Sequence, residues 1–364
     1  MMSEEESLVS IPINLLHEGM ELPHDIFNYN GTLMLVPQGS VISESQITAI
    51  RRFNKYKDTV VVSSETLKVI QRHKSLNKTV SRQKLEEETG YVDTKDDTFH
   101  MLEEIASTSN VSQEAIHSIS DSLSKNLEKT KPGLILDLVN ALAPMDEYLQ
   151  RHCANVSLLN GLLGKWMGLE KSQIDLLVLS GLLHDCGKAS VPDQVINAPR
   201  ALTRAEFEVI KMHTVYGYDL LAEFCDDVRY AVRYHHEKIN GRGYPDNLLD
   251  KQISLFARIT AVSDVYDAMV SRRVYKEPQS PFSVLAMLRK LKNTEFDANV
   301  VDVFLNNMQK ELIGKTIMLS NGKKGIVHEI DLDDIEYPYI CADNKLIKTN
   351  GEINCKFMYF DEKP

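Results

Sequence analysis

Seven residues between positions 152 and 264 have side chains that commonly bind metal ions. They are five of the chain's eleven histidines and two aspartates: His152, His184, Asp185, His213, His235, His236 and Asp264. Neutral imidazole is a frequent ligand of transition metals, and carboxylates complete such sites. Each of the seven falls where an apolar stretch meets a loop, or inside an apolar stretch. Together they predict a metal site.

His152 begins a run whose spacing predicts one apolar helix face. Val156, Leu159, Leu163 and Trp166 follow it at alternating steps of four and three residues. His152 is therefore expected to point into the core. By itself, a histidine in such a place is more often a hydrogen-bonded core residue than a metal ligand, so the assignment depends on the other six residues.

An almost wholly apolar segment, Leu176–Leu183, leads directly into His184 and Asp185. A carboxylate at the end of a buried helix is costly unless it is paired or bound to a metal. An adjacent His-Asp pair suits two metal ions, because the carboxylate can bridge both while the imidazole binds one. The alternative is a surface His-Asp pair, which the preceding apolar run disfavours.

The remaining candidates also lie on predicted helices. His213 lies on the apolar face of a helix predicted over residues 204–221. His235 and His236 end another predicted helix where the chain enters a glycine-rich loop, so both can reach one site. Asp264 lies within the apolar sequence RITAVSDVYDAM, where an unpaired carboxylate would be costly.

The order of these residues resembles the HD-GYP family, a branch of the HD phosphohydrolase superfamily. The resemblance lies in His184-Asp185 with Gly187-Lys188, in His235-His236-Glu237, and in Gly241-Arg242-Gly243-Tyr244-Pro245. Residues 192–203 and 264–276 add supporting matches, so about half of the chain is covered. The resemblance implies hydrolysis of cyclic di-GMP, a bacterial second messenger, to linear pGpG. It leaves open whether a second cleavage gives GMP.

The resemblance also implies a role for each metal ligand. One ion is expected on His152, His184 and Asp264, and a second on His213, His235 and His236, with Asp185 bridging the two. Histidine-rich ligand sets favour iron or manganese over magnesium, which prefers oxygen ligands. Zinc and nickel stay open. Some family members have a glutamate ligand where this chain has Tyr148, so two divalent ions are expected rather than three.

Substrate contacts follow from the same resemblance. Lys188, Arg273 and Lys276 are expected to contact phosphates, and Gly243 and Tyr244 to shape the mouth of the site. Asp185 and Lys188 are the expected catalytic residues. Asn240 replaces an aspartate that usually precedes the GYP sequence, which predicts altered contacts within the loop rather than altered chemistry. Asp146 is expected to support the ligands without binding a metal.

The elements that position these residues predict a mainly α fold with an HD-type helical bundle at its centre. The expected domains are a small α/β N-terminal regulatory module over 1–65, a helical connector over 66–130, the catalytic domain over 131–313 and a small β appendage over 314–364. In the first module, Asn30-Gly31 predicts a hairpin turn. A turn at residues 320–323 predicts a second hairpin in the appendage.

Net charge, apolar runs and cysteine content narrow the expected cellular location and binding partners of the protein. The net charge of −11 argues against binding to long nucleic acid. The longest apolar run, Leu176–Leu183, is far short of the roughly 20 residues that span a bilayer, and the acidic N-terminus does not resemble a secretion signal. The five cysteines are scattered along the chain, which is more typical of reduced thiols than of a disulfide framework or a zinc site. We therefore expect a cytoplasmic protein that does not contact the membrane.

Two other functions fit some of the same residues. A diiron oxygenase would use a similar ligand set, and a non-catalytic receptor or docking module would bind a cyclic dinucleotide without cleaving it. The GYP loop and Lys188 favour phosphate chemistry over oxygen chemistry, and the complete ligand set disfavours a degenerate receptor. A diguanylate cyclase bound at the GYP loop and a homodimer are further expectations.

Overall fold

The computed structural model describes most of the chain from residue 112 onward and shorter segments before it. The described residues are 8–13, 16, 24–28, 34–43, 46–47, 50, 59–63, 97–98, 100–101, 103–105, 108, 112–139, 148–196, 198, 200, 202–271, 279–342, 345–351, 353 and 355–358. Contacts divide the chain into two compact units. One comprises residues 1–81 with 313–355 and 359–364, and the other comprises residues 82–312 with 356–358.

The second unit is helical. Its helices are α1 (Gln113–Lys129), α2 (Pro132–Val139), α3 (Tyr148–Trp166), α4 (Lys171–Leu183), α5 (Asp193–Ile196), α6 (Arg204–Lys211), α7 (His213–Leu220), α8 (Asp226–Tyr234), α9 (Leu255–Val270), α10 (Pro281–Leu291) and α11 (Ala298–Leu312). Short 3-10 helices span Cys186–Ser190 and Asp250–Gln252. The mainly α fold predicted from the sequence is confirmed.

Helices α3 and α4 pack closely and form the centre of this unit. Gly181 permits the approach, because a Cβ at that position would lie 2.5 Å from the Cα of Ser157. The Ser157 hydroxyl donates a hydrogen bond of 2.6 Å to the Val178 carbonyl oxygen. The Asn160 amide donates to the hydroxyl of Thr260, which ties α3 to α9. Buried polar groups therefore fix the register of the helices that hold the candidate ligands.

The strands of the chain form two sheets. The N-terminal sheet consists of β1 (Leu8–Pro12), β2 (Ile26–Asn28), β3 (Met34–Val36) and β4 (Thr59–Ser63), in the order β1-β4-β2-β3. Leu8 pairs with Ser63, and Ile26 pairs with Val36. The antiparallel pairing of β2 with β3 agrees with the predicted hairpin, although its turn at residues 29–33 lies outside the described residues.

The C-terminal sheet contains β5 (Thr316–Leu319), β6 (Lys324–Glu329), β7 (Tyr339–Ala342), β8 (Lys345–Lys348) and β9 (Cys355–Met358), in the order β8-β7-β6-β5-β9. The register pairs Ile317 with Gly325, as the predicted turn at residues 320–323 requires. The four-segment division over 1–65, 66–130, 131–313 and 314–364 stays a prediction. Among the described helices, none is long and apolar enough to cross a membrane.

Candidate metal centre

Helices α3 and α9 place His152 and Asp264 side by side in the core. The Nε2 atom of His152 lies 3.2 Å from Oδ1 of Asp264. On its other edge, Nδ1 of His152 lies 2.7 Å from Oδ2 of Asp267, whose second oxygen accepts a hydrogen bond from the Asn155 amide. The Asp267 carboxylate therefore holds the imidazole so that Nε2 faces Asp264.

Helix α4 ends immediately before His184, and the backbone turns into the following 3-10 helix at Asp185. The Nδ1 atom of His184 contacts the Gly181 carbonyl oxygen, which directs Nε2 toward the cluster. This Nε2 lies 3.2 Å from Nε2 of His152 and 3.3 Å from Oδ2 of Asp185. The predicted placement of both residues at the end of a buried apolar helix is confirmed.

The other three histidines come from α7 and from the end of α8. Each of His213 and His235 directs Nδ1 to a backbone carbonyl oxygen, that of Ile210 and of Val232 respectively. Both therefore present Nε2 to the cluster. Nδ1 of His236 lies 3.8 Å from Oδ2 of Asp264. The single helix predicted over 204–221 is wrong in one respect, since it is interrupted at Met212 and His213 begins a new helix.

The ligand atoms form two groups that share one carboxylate. His152, His184 and Asp185 form one group, and Asp185, His213, His235 and His236 form the other, with the ligand atoms of each group within 4.8 Å of one another. Asp185 Oδ1, His213 Nε2 and His235 Nε2 are buried and form no hydrogen bond with any described residue. Leaving three such atoms unsatisfied is costly unless a cation binds them.

The carboxylates of the cluster are ionised. Burial alone would raise the pKa of Asp185, but Lys188, His184 and His213 hold that pKa well below its usual range. Burial opposes ionisation of Asp264 as well, and its contacts with His152, His236 and His184 again hold the pKa well below normal. Two negative charges are therefore maintained in a largely dehydrated cluster.

Most of the histidines are neutral, as metal ligands must be. Burial lowers the pKa of His213, lowers that of His235 well below its usual value, and lowers that of His236 to about 3. His152 differs, because contacts with Asp264 and Asp267 outweigh burial and raise its pKa to about 9. Without a cation, a proton on His152 balances part of the carboxylate charge, so metal binding must displace that proton.

Lys188 is the charged group nearest the shared carboxylate. Its Nζ atom lies 2.5 Å from Oδ2 of Asp185, and its side chain is 26% exposed. Burial would lower the pKa of Lys188, but Asp185 raises it, so the ammonium group stays charged. The amine therefore faces both the cluster and the solvent, where an anionic substrate could reach it.

The loop after α8 folds back over the cluster. The buried carboxylate of Glu237 accepts hydrogen bonds from the backbone amides of Asp246 and Leu248. A Cβ at Gly243 would collide with the backbone of Glu237, so only glycine fits there. Tyr244 is thereby stacked on His236, with ring centroids 4.7 Å apart and an interplanar angle of 27°.

The structure brings the seven candidate ligands together, and it places Lys188, Gly243 and Tyr244 beside them. Arg273, Lys276 and Asp146 lie outside the described residues, as does the side chain of Tyr148. Asn240 accepts a hydrogen bond from the backbone amide of Arg242, so this residue acts within its own loop.

Two supporting residues had no role assigned from the sequence. Asp267 lies three residues after Asp264 and Asn155 three residues after His152, and each of these spacings puts both members on one face of a helix. That spacing is the signal from which they could have been found. The role of Glu237 has no such signal, because its carboxylate binds backbone amides nine and eleven residues away in a loop.

Residues 137–300 match the family model of the HD domain. A protein of Pseudomonas aeruginosa named cyclic di-GMP phosphodiesterase PA4108 is 36% identical over 54% of this chain and 48% of its own length. A Xanthomonas campestris protein named cyclic di-GMP phosphodiesterase response regulator RpfG is 32% identical over 55% of this chain and 54% of its own length. The chain thus spans about half the length of the curated relatives it matches.

A third relative is named for another substrate. A Vibrio cholerae protein named 3'3'-cGAMP-specific phosphodiesterase 2 is 30% identical over 50% of this chain and 36% of its own length. Among solved structures, Bd1817 from Bdellovibrio bacteriovorus, described as an HDG"Y"P protein, aligns with a TM-score of 0.50 at 16% identity, over 84% of this chain and all of that one. At that identity, the similarity supports the fold alone.

Proposed function

We propose that this chain, whose residues 137–300 match the family model of the HD domain, is a member of the HD-GYP family and hydrolyses the phosphodiester bonds of cyclic di-GMP with the help of bound metal ions. The observation that supports this most strongly is the convergence of Asp185 Oδ1, His213 Nε2 and His235 Nε2, three buried polar atoms that form no hydrogen bond within the described part of the chain. No packing role accounts for that arrangement, whereas binding of a cation does.

The proposed ligands divide as the two geometric groups do. His152, His184 and Asp264 would hold one ion and His213, His235 and His236 would hold the other, with Asp185 common to both groups. Asp264 is in neither geometric group, but it is assigned to the first ion because its Oδ1 lies 3.2 Å from Nε2 of His152 and 4.0 Å from Nε2 of His184. When bound, two divalent ions supply Lewis acidity toward a phosphate and lower the pKa of water.

The chain's own residues position the substrate around that centre. Lys188 can donate to a non-bridging phosphate oxygen while Asp185 stays ionised beside it. Tyr244 and Gly243 close one side of the mouth, and Glu237 keeps the loop in place through two backbone amides. Arg273 and Lys276 are proposed to contact the substrate phosphates. The first cleavage gives linear pGpG.

The histidine-rich ligand set supports iron, with manganese as the alternative, because magnesium favours oxygen ligands. Five of the seven proposed ligands are imidazoles. Two ions are proposed because only two groups of ligand atoms, which share Asp185, are found among the described residues.

Cyclic di-GMP is proposed as the substrate because it is named for the P. aeruginosa and X. campestris relatives. The relative named for 3'3'-cGAMP makes that compound the natural competitor in an assay. A diguanylate cyclase bound at the GYP loop, a homodimer and a cytoplasmic location stay predictions from the sequence.

Anaerobic reconstitution with each candidate metal, followed by an assay of cyclic di-GMP with product identification, tests the proposal. We expect about two ions per chain and formation of pGpG with iron or manganese. A protein that holds both ions and leaves cyclic di-GMP and 3'3'-cGAMP intact would contradict the proposed activity. Three fully occupied ions would contradict the proposed metal count.

Lys188→Ala serves as the matched variant in this assay. Lys188 contacts phosphate in the proposal and is not a metal ligand, so the variant should keep both ions. Its turnover should fall about a hundredfold to a thousandfold, as for the loss of one group that stabilises charge in the transition state. Loss of metal with normal turnover of the remaining holoenzyme would show that Lys188 supports the ligands instead.

A further inference from the structure

Helix α6 lies on the surface of the helical unit, because none of its residues is buried. It nevertheless includes Phe207, whose side chain is 46% exposed, and Val209, which is also exposed. Met212, which follows the last residue of α6, is exposed as well, so three apolar side chains of this short segment face the solvent. Helix α6 ends just before His213, so this surface lies next to the metal cluster in the chain.

A series of contacts connects that ring to the cluster. The Lys211 ammonium group lies 5.0 Å from the centroid of the Phe207 ring and 5.6 Å from the centroid of the Tyr244 ring. Tyr244 in turn stacks on the ligand His236. Phe207, Lys211 and Tyr244, here called the aromatic ladder, thus extend from a metal ligand to an exposed surface.

The aromatic ladder matches the chemistry of a nucleotide. Bases stack on aromatic rings, and an ammonium group beside them neutralises phosphate. Lys211 also lies 2.8 Å from Glu208, but both groups are partly exposed, so that pair can open at little cost. A cyclic dinucleotide with one phosphate at the metal cluster would extend a base and its second phosphate beyond the cluster.

We propose that the aromatic ladder is the base-binding side of the substrate site. One guanine stacks on the exposed face of Phe207, and the Lys211 ammonium group pairs with the phosphate that is not being cut. This inference rests on the proposed hydrolysis of a cyclic dinucleotide and adds residues that bind the substrate away from the bond that breaks. Phe207 and Lys211 therefore set KM for the dinucleotide.

The test compares two substrates on metal-loaded protein: cyclic di-GMP, and the small diester bis(p-nitrophenyl) phosphate, which has a single phosphate and no nucleobase. Phe207→Ala should raise KM for cyclic di-GMP about tenfold to a hundredfold, the loss expected for one stacked base. Lys211→Gln should raise the same KM about tenfold, as for the loss of one charge-assisted contact. Neither variant should change kinetics with the small diester.

Two further variants separate stacking from general damage. Phe207→Trp keeps an aromatic platform and should retain the KM of the wild type. Val209→Ala removes an exposed apolar side chain about 200° around the same helix, so its KM should not change. These variants leave the metal ligands in place, and metal content should stay at the wild-type level in all of them.

The outcomes are distinct. A Phe207→Ala protein with unchanged KM for cyclic di-GMP would overturn the proposal, and so would one that loses activity equally with both substrates. A wild-type protein that cleaves the small diester and neither binds nor cleaves cyclic di-GMP would instead refute the proposed function, and the assignment of the aromatic ladder with it.

Discussion

Two buried histidines in the two units of this chain have opposite acid–base behaviour. His152 in α3 has a pKa raised to about 9, whereas His328 in β6 has a pKa lowered to about 4. Both side chains are almost fully buried, at 2% and 3% exposure. Burial is therefore not what distinguishes the site from the rest of the protein.

The difference comes from the carboxylates. His152 contacts Asp264 and Asp267, and these contacts outweigh the cost of burying a charge. For His328, burial alone lowers the pKa, and its Nδ1 atom forms no hydrogen bond with the described residues. An isolated buried histidine reflects packing, whereas one held between two carboxylates belongs to a site built for a cation.

The largest expected effect comes from removing the shared carboxylate. Asp185→Ala deletes the one side chain common to both groups of ligand atoms, so the protein should lose both metals. Hydrolysis of cyclic di-GMP should fall about a thousandfold or more, as for the loss of a residue on which the other groups depend. Elemental analysis and turnover numbers on the same preparation measure the two effects.

Asp175→Ala is the matched control for that variant. Asp175 lies on α4, the helix that precedes Asp185, but its side chain is exposed and pairs with Lys171. Its loss should leave metal content and turnover unchanged. An Asp185→Ala protein that keeps both ions would show that the histidines bind the metals without this carboxylate. The carboxylates would then not be what distinguishes the site from the surroundings of His328.

A smaller effect is expected from Asp267→Asn. The substitution preserves shape but removes the negative charge that holds Nδ1 of His152 at 2.7 Å. Affinity for the ion on His152 should fall about tenfold to a hundredfold, as for other residues that orient a metal ligand. Competition with a chelator measures this change, with Asp302→Asn as a control at an exposed carboxylate. Unchanged affinity would mean that packing alone orients His152.

The smallest effect on activity is expected from His328→Leu, which should leave turnover at neutral pH within about twofold, as for a residue remote from the chemistry. Its effect should appear in acid stability. Below an unfolded-state pKa of about 6.5, the unfolded chain binds a proton at this ring that the folded chain excludes until about pH 4. In the wild type, the free energy of unfolding therefore falls as pH decreases through that window.

Denaturant unfolding at pH 7 and pH 4.5 checks this expectation. The wild type should lose about 2 kcal/mol more than His328→Leu between the two values, because the leucine cannot be protonated. Acid effects on the metal cluster are common to both proteins and cancel in the difference. Equal losses in the two proteins would show that His328 binds its proton in the folded state as readily as in the unfolded chain.

Much of the candidate site could be predicted from the order of residues. The apolar run Leu176–Leu183 predicted a buried helix that ends at His184 and Asp185, and the structure has that helix as Lys171–Leu183. The spacing after His152 predicted its inward face in the same way. Helical periodicity is a local property, so the side of a helix on which a ligand lies can be inferred without knowing its partners.

The geometry of loops and helix ends was harder to predict from the sequence. The interruption at Met212 was not predicted, because nothing in the sequence 204–221 breaks the helical pattern. The position of Tyr244 over His236 depends on Glu237, whose carboxylate binds the amides of Asp246 and Leu248. Every residue except proline has a backbone amide, so the residue types in the loop do not show which amides the Glu237 carboxylate binds.

By itself, the sequence therefore predicted the seven candidate ligands, the apolar helices that bury them and the mainly α class, because residue type and periodicity act over short distances along the chain. Only the tertiary structure decided that Asp185 is shared by two groups of ligand atoms, that Asp267 holds His152 across 115 residues, and that Lys211 lies between two aromatic rings. Such contacts depend on how the helices pack against one another. Packing brings together residues that are far apart in the sequence, and no repeating pattern along the chain predicts which of them meet.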